Sequence, residues 1–248
     1  RHAISKLAQW HFVAAEPYRK RVVQMGESPD RVFNYGAPGL DQLSRLDWLG
    51  RHDLEGALQI HMGIPLFLVT YHPVTLANDS PEKPMSELLR ALEAFPEATV
   101  IFTYPNADTG GRVLIECIDR FVAQHRKISR SFVSLGQQRY LSLMREADVI
   151  IGNSSSALTE APALKKASVN IGDRQKGRLK ATSVIDAAES SQDIVQAILL
   201  ALSDEFRRKL PETVSLYGQG GVSKKIKATL KEVTPEVRKP FFDIEHGN

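Results

Sequence analysis

The sequence predicts an α/β fold, a Rossmann-like doubly wound parallel sheet. Short runs such as LFLVTY, TVIFTY and DVIIG are apolar without polar alternation. A strand of that kind is covered on both faces, which is the condition of a parallel sheet. Between these runs lie segments with apolar residues at helical spacing, giving the strand–helix–strand alternation of βαβ units. Polar residues then gather immediately after the runs, where ligands of open parallel sheets sit.

In chain order, residues 10–14 (WHFVA) read as a strand, and 17–25 as a helix with proline in its first turn. Residues 31–35 read as a strand and 53–61 as a helix. Residues 66–71 (LFLVTY) are a strand followed by a proline-containing loop. Residues 85–94 are helix, 99–104 (TVIFTY) strand and 111–125 helix. A weaker strand is expected over 131–134, a helix over 138–145 and a strand over 148–151. Helix over 156–164, strand over 168–171, and helices over 191–202 and 222–233 complete the pattern. The stretch from Gly36 to Leu54 changes character, with Gly-Ala-Pro-Gly followed by mixed charges, and is the candidate domain boundary.

The chain has 248 residues, 42% hydrophobic and 25% charged, with a formal charge of +3. That is an ordinary globular composition, and the length suits one large domain or two small ones. No Lys/Arg run is long enough for a nucleic-acid arm; Lys224, Lys225 and Lys227 read as a solvated helix face. No apolar run approaches the ~20 residues of a membrane span. Neither nucleic acid nor membrane is therefore an expected partner. The single cysteine, Cys117, lies in an apolar helical segment and reads as a small buried hydrophobe. One cysteine permits no internal disulfide, so a reducing, cytoplasmic setting is expected. The chain opens on Arg1-His2 with helical sequence and no signal peptide, as if cut from something longer.

The strand ends carry the functional signal. LFLVTY runs into His72-Pro73-Val74-Thr75, and TVIFTY into Pro105-Asn106-Ala107-Asp108-Thr109-Gly110. DVIIG runs into Asn153-Ser154-Ser155-Ser156, and SVNIG into Asp173-Arg174-Gln175. A helix starting near Ser156 leaves its first backbone N–H groups unpaired, and with the helix dipole these form an anion site. N-capping accounts for one serine but poorly for three in a row. Glu160 falls outside the capping-box position, and a carboxylate in the second turn can accept both hydroxyls of a ribose. Pro73 holds the backbone of His72 extended, so its imidazole can donate to a diphosphate or act as a general acid. Asn106 and Asp108 sit in a cluster that a plain turn would also explain. Arg174 can pair with phosphate, stack on a base, or be a surface arginine. Together these tips describe a nucleotide-diphosphate site. Neither a Walker loop nor a GxGxxG loop is present, which argues against ATPases and NAD enzymes.

The segments YHPV (residues 71–74), YPNAD running to Gly110, IGNSS (residues 151–155) with Glu160, and GDRQKGR (residues 172–178) resemble the hydrolysing UDP-N-acetylglucosamine 2-epimerases of sialic and legionaminic acid synthesis. The opening stretch HAISKLAQWHFVAAEPYRKRVVQMGESPDRVFNYGAPGLD and Tyr217-Gly218-Gln219-Gly220 add to the likeness, which covers nearly the whole chain. HPVT at His72, in place of the His-Arg-Arg-Glu-Asn run of non-hydrolysing relatives, points to the hydrolysing branch. Gln219 stands where the family usually has aspartate.

The resemblance implies two Rossmann-like lobes in the glycosyltransferase-B arrangement. Residues 1–45 would be a remnant of the first lobe, 46–216 the UDP-binding lobe, and 217–248 a closing helix and tail. The remnant would leave apolar edges and faces for a partner copy or a missing segment to cover. Carried over residue by residue, the resemblance gives UDP contacts at His72, Asn106, Leu135, Ser154, Ser155, Glu160 and Arg174, with His72 the candidate catalytic group. Ser154 and Ser155 would meet the diphosphate, Glu160 the ribose diol, and Leu135 the uracil; by its own apolar character Leu135 reads as core. The implied activity is a UDP-sugar 2-epimerase that releases UDP and a free mannosamine-type sugar, with no cofactor and no metal. The proton-transfer acids would come from the absent lobe, so this chain alone would not turn over. A UDP-sugar substrate and a homo-oligomer, dimer or tetramer, are the expected partners. A UDP- or GDP-sugar glycosyltransferase donor lobe and a non-catalytic nucleotide-sugar sensor are the alternatives.

Overall fold

The computed structural model describes residues 2–74, 81–106, 110–234 and 238–244. The chain divides into two compact units, Arg1–Leu46 with Ser215–Asn248, and Asp47–Val214. Thr75 and Asp108, both part of the polar strand ends, lie outside the described residues.

The first unit begins with α1 (His2–Leu7), β1 (His11–Val13), α2 (Glu16–Gln24) and β2 (Val32–Asn34). β1 and β2 pair in parallel, Phe12 opposite Phe33. Their aromatic rings stack along one face, with Phe12 to Phe33 at 5.6 Å and Phe33 to Tyr35 at 5.5 Å between centroids.

The second unit runs through α3 (Arg51–Leu58), β3 (Leu66–Thr70), α4 (Glu82–Glu93), β4 (Thr99–Thr103) and α5 (Gly111–Gln124). It continues with β5 (Ser129–Phe132), α6 (Gly136–Glu146), β6 (Val149–Gly152), α7 (Ser156–Ala163) and β7 (Ala167–Ile171). It ends with β8 (Val184–Ala187), α8 (Ser191–Leu202) and α9 (Asp204–Lys209). The last helix, α10 (Val222–Glu232), belongs to the first unit.

The second unit holds a six-stranded, wholly parallel sheet in the order β5-β4-β3-β6-β7-β8. Counted from β3, that is the Rossmann order 3-2-1-4-5-6. Every residue of β3, β4, β6 and β7 is buried, as their unbroken apolar character requires. Side chains alternate across the sheet. Phe67, Val69, Val100, Phe102, Val149, Ile151 and Val169 pack with α4, α5 and α8 in one core. Those helices bury residues at three- and four-residue spacing: Met85, Leu88, Ala91 and Leu92 in α4, Leu114, Cys117, Ile118 and Phe121 in α5. Cys117 is thus a buried packing residue. Leu66, Leu68, Ile101 and Ile150 are buried in the alternate register. Near the strand ends that register turns polar, and Thr70 and Thr103 satisfy one another at 2.6 Å between hydroxyl oxygens.

The fifth strand starts two residues before the 131–134 segment expected from sequence. Its position is set by pairing with β4, Val100 opposite Ser129. It is an edge strand of mixed burial, so its own residues carry a weak pattern. β8, on the other edge, and the six-residue α9 were not anticipated, because neither is long or apolar enough to announce itself. No helix among the described residues is long and apolar enough to cross a membrane.

In the first unit, Asp41 is buried and accepts from the backbone N–H groups of Val222 and Ser223, both at 2.7 Å. Those are the orphan donors at the start of α10; the Ser223 hydroxyl first, and then these backbone bonds, hold the Asp41 carboxyl down at about 2. Glu27 is 2% exposed and meets Lys6 at 2.8 Å, Lys239 at 2.6 Å and His11 at 3.0 Å. Burial pushes its pKa up, but the three bonds outweigh it and bring the carboxyl to about 2.

Candidate functional site

In a sheet of this order, β3 and β6 are neighbours whose following helices leave in opposite directions, which opens a crevice beyond their carboxyl ends. Thr70 pairs with Gly152 across that line. Gly152 has φ +133, and a Cβ there would run into the Thr70 carbonyl, so only glycine lets the two strands approach this closely before diverging.

The next residue, Asn153, is fully buried. Its side-chain amide grips the main chain of His72 from both sides. The His72 N–H donates to Asn153 Oδ1 at 2.7 Å, and Asn153 Nδ2 donates to the His72 carbonyl at 2.8 Å. The carbonyl of Asn153 in turn accepts from Arg174 Nη1 at 3.1 Å and Gln175 Nε2 at 2.7 Å. Asn106 joins from the end of β4, its backbone N–H donating to His72 Nδ1 at 3.2 Å. A backbone N–H can only donate, so Nδ1 is the acceptor nitrogen and the imidazole carries its proton on Nε2. Tyr71, next to His72, is buried and donates its hydroxyl to Glu189 at 2.8 Å. Burial, and then the Glu189 charge, push the Tyr71 phenol well above its usual range.

Ser154 and Ser155 lead into α7. Ser155 occupies the N-cap position but its hydroxyl makes no capping bond. The Ser156 N–H donates to Ser154 Oγ at 3.4 Å, and Ser154 Oγ donates to Ser156 Oγ at 3.5 Å. These hydroxyls and amides stand at the positive end of the helix, the arrangement that favours an anion. Glu160 sits in the second turn, half-buried, and burial raises its carboxyl above the usual range. Beside it stands Tyr140 of α6, half-buried, its phenol also raised, first by burial, with Ser156, Thr70 and Ser154 as its polar neighbours.

Residues 1–231 match the sequence profile of the family described as UDP-N-acetylglucosamine 2-epimerase. The chain belongs to that family. It is 39% identical over 98% of its length to the GDP/UDP-N,N'-diacetylbacillosamine 2-epimerase (hydrolyzing) of Campylobacter jejuni, covering 64% of that protein. It is 37% identical over 83% of its length to the polysialic acid biosynthesis protein P7 of Escherichia coli, covering 52% of it. The crystal structure of the Neisseria meningitidis UDP-GlcNAc 2-epimerase, bound to UDP-GlcNAc, superposes with a TM-score of 0.76. That match covers 92% of this chain and 63% of the other at 19% identity, a likeness of fold. The chain thus spans between half and two thirds of the relatives it matches.

Within this epimerase-family chain, the hydrogen bonds join His72 and Arg174 through Asn153 and Asn106 through His72, with Ser154 and Ser155 continuous with Asn153 in sequence. Glu160 belongs to the Tyr140 neighbourhood on α7. Leu135 stands apart from these bonds: it is buried at the N-cap of α6, the packing role its apolar side chain suggests. Asn153, Gln175 and Tyr140 are the residues that strand-end reasoning left without a role. Gln175 is 2% exposed, and its Oε1 has no partner among the described residues. An asparagine after a glycine at a strand end reads as an ordinary turn, and nothing local signals that it binds a segment 81 residues away.

Proposed function

We propose that the chain is the UDP-binding part of a hydrolysing UDP-sugar 2-epimerase, releasing UDP and a free mannosamine-type sugar. Family membership supports the epimerase reading, and so does the name of the Campylobacter relative. The observation that carries it is the hydrogen-bonded run from Asn106 through His72 and Asn153 to Arg174 at the switch point of the sheet, with Ser154 next to Asn153 in sequence. In this reading the diphosphate meets Ser154, Ser155, Arg174 and His72, the ribose diol meets Glu160, and Leu135 borders the uracil. Residues 1–45 belong to a first lobe, 46–216 form the UDP lobe, and 217–248 are a closing helix and tail. The working enzyme is a homo-oligomer, dimer or tetramer, of the cytoplasm.

The reaction has two halves. A base takes the C2 proton, the C1–O bond breaks with its electron pair leaving on UDP, and a C1–C2 double bond forms. Water then adds, its hydroxyl to C1 and a proton to the opposite face of C2. The first half puts negative charge on the β-phosphate, where amides at Ser154–Ser156 (residues 154–156), Arg174 and the Nε2–H of His72 would stabilise it as it develops. The acid and base that move the C2 protons lie outside this chain.

The test uses the full-length enzyme with UDP-N-acetylglucosamine and with UDP-N,N'-diacetylbacillosamine, products read by mass spectrometry. Release of free 2-epimerised sugar with UDP is expected. Sugar transfer to an acceptor, or return of the epimerised UDP-sugar, would replace the hydrolytic assignment. The 248-residue chain alone is expected to bind UDP weakly and to give no product.

A further inference from the structure

Resting on the UDP-site reading above, we infer that Asn153 is the positioning residue of that site: its buried side-chain amide sets where His72 stands, and its main-chain carbonyl anchors Arg174. Four hydrogen bonds meet on it, from two other chain segments: the His72 N–H and carbonyl on its amide, and Arg174 and Gln175 on its carbonyl. Its amide is matched to this use. One end must accept and the other must donate, which asparagine does and neither aspartate nor leucine can. Full burial removes water as a substitute partner, so each lost bond leaves an unsatisfied group.

The geometry also explains why Asn153 follows Gly152. The glycine brings β6 against the Thr70 carbonyl, and the Asn153 N–H donates to that same oxygen at 3.2 Å. This places the Asn153 amide level with His72, two residues beyond Thr70. Asn153 touches no ligand in this arrangement; it acts through His72 and Arg174, the two groups assigned to the diphosphate. Its effect should therefore fall on the phosphates and spare the nucleoside.

The experiment compares wild type with Asn153→Ser and Asn153→Asp in the 248-residue chain, titrated with UDP and with uridine and followed by NMR. Asn153→Ser is expected to lower UDP affinity tenfold or more while changing uridine affinity less than twofold. Asn153→Asp keeps the acceptor toward the His72 N–H but turns a second oxygen on the His72 carbonyl, and should lose at least as much. If Asn153→Asp does not fold, Asn153→Ser decides alone; if neither folds, the same pair of titrations on Gln175→Leu, which removes one bond to the Asn153 carbonyl, decides. Equal losses for UDP and uridine, or unchanged UDP binding, would overturn the positioning role. Wild type that binds no UDP at all would instead remove the UDP-site reading itself.

Discussion

The backbone N–H of Asn106 donates to Nδ1 of His72 across the ends of two adjacent strands, β4 and β3. This bond selects the tautomer with the proton on Nε2. A long-range proton–nitrogen NMR spectrum of histidine-labelled protein should show that tautomer for His72 at neutral pH. Signals of the Nδ1–H form would contradict it. His72→Ala should weaken UDP binding roughly 10- to 100-fold, the worth of a hydrogen bond to a charged group.

Glu160 carries a carboxyl raised by burial. A raised acid holds more protons in the folded than in the unfolded chain, so stability falls as pH climbs from the ordinary carboxylate range through the raised value. Glu160→Gln removes that cost and should raise the melting temperature at pH 7.5, with no gain at pH 4. The same variant should lose UDP affinity, because an amide accepts the ribose diol less well than a carboxylate. Calorimetry with UDP beside thermal melts reads both; a variant that binds as wild type would take Glu160 out of the site.

Gly152→Ala should be among the most damaging small substitutions in the chain. It forces a side chain into a φ of +133 and against the Thr70 carbonyl. A loss of about 3 kcal/mol or more, or failure to fold, is expected in urea unfolding. Gly56→Ala, in α3 with nothing within 4 Å of the added carbon, is the control and should be stabilising by about 0.5–1 kcal/mol.

Glu27 is held ionised by Lys239, Lys6 and His11. Its folded pKa lies below the unfolded value, so its contribution is complete above about 4.5 and is lost as pH falls toward 2. Glu27→Gln should flatten the acid limb of the stability curve. At neutral pH it should cost about 2–3 kcal/mol, since it strands partly buried lysine charge. Acid titration of both proteins by circular dichroism checks the sign.

The central strands were legible because LFLVT, TVIFT and VIIG are apolar on both sides, and burial on both faces is the one environment that asks for this. VIDA at β8 was not, being short, partly exposed and an edge. The rule that ligands lie beyond strand ends led to His72, Asn106, Ser154 and Arg174, which hydrogen bonds and chain continuity tie to Asn153. What local sequence could not supply was the strand order. Only once β3 is known to lie beside β6 do residues 72 and 153 become partners. Leu135 shows the converse: its apolar character pointed to packing, and it is buried.

The grip on residue 72 falls on its peptide groups and not on its imidazole. Peptide groups are common to all amino acids, so the perch is indifferent to what stands on it. Exchange of the histidine would leave those two bonds in place and give up the one that Nδ1 accepts from Asn106. Main chain and side chain of residue 72 are thus secured separately, the one by Asn153 and the other by Asn106.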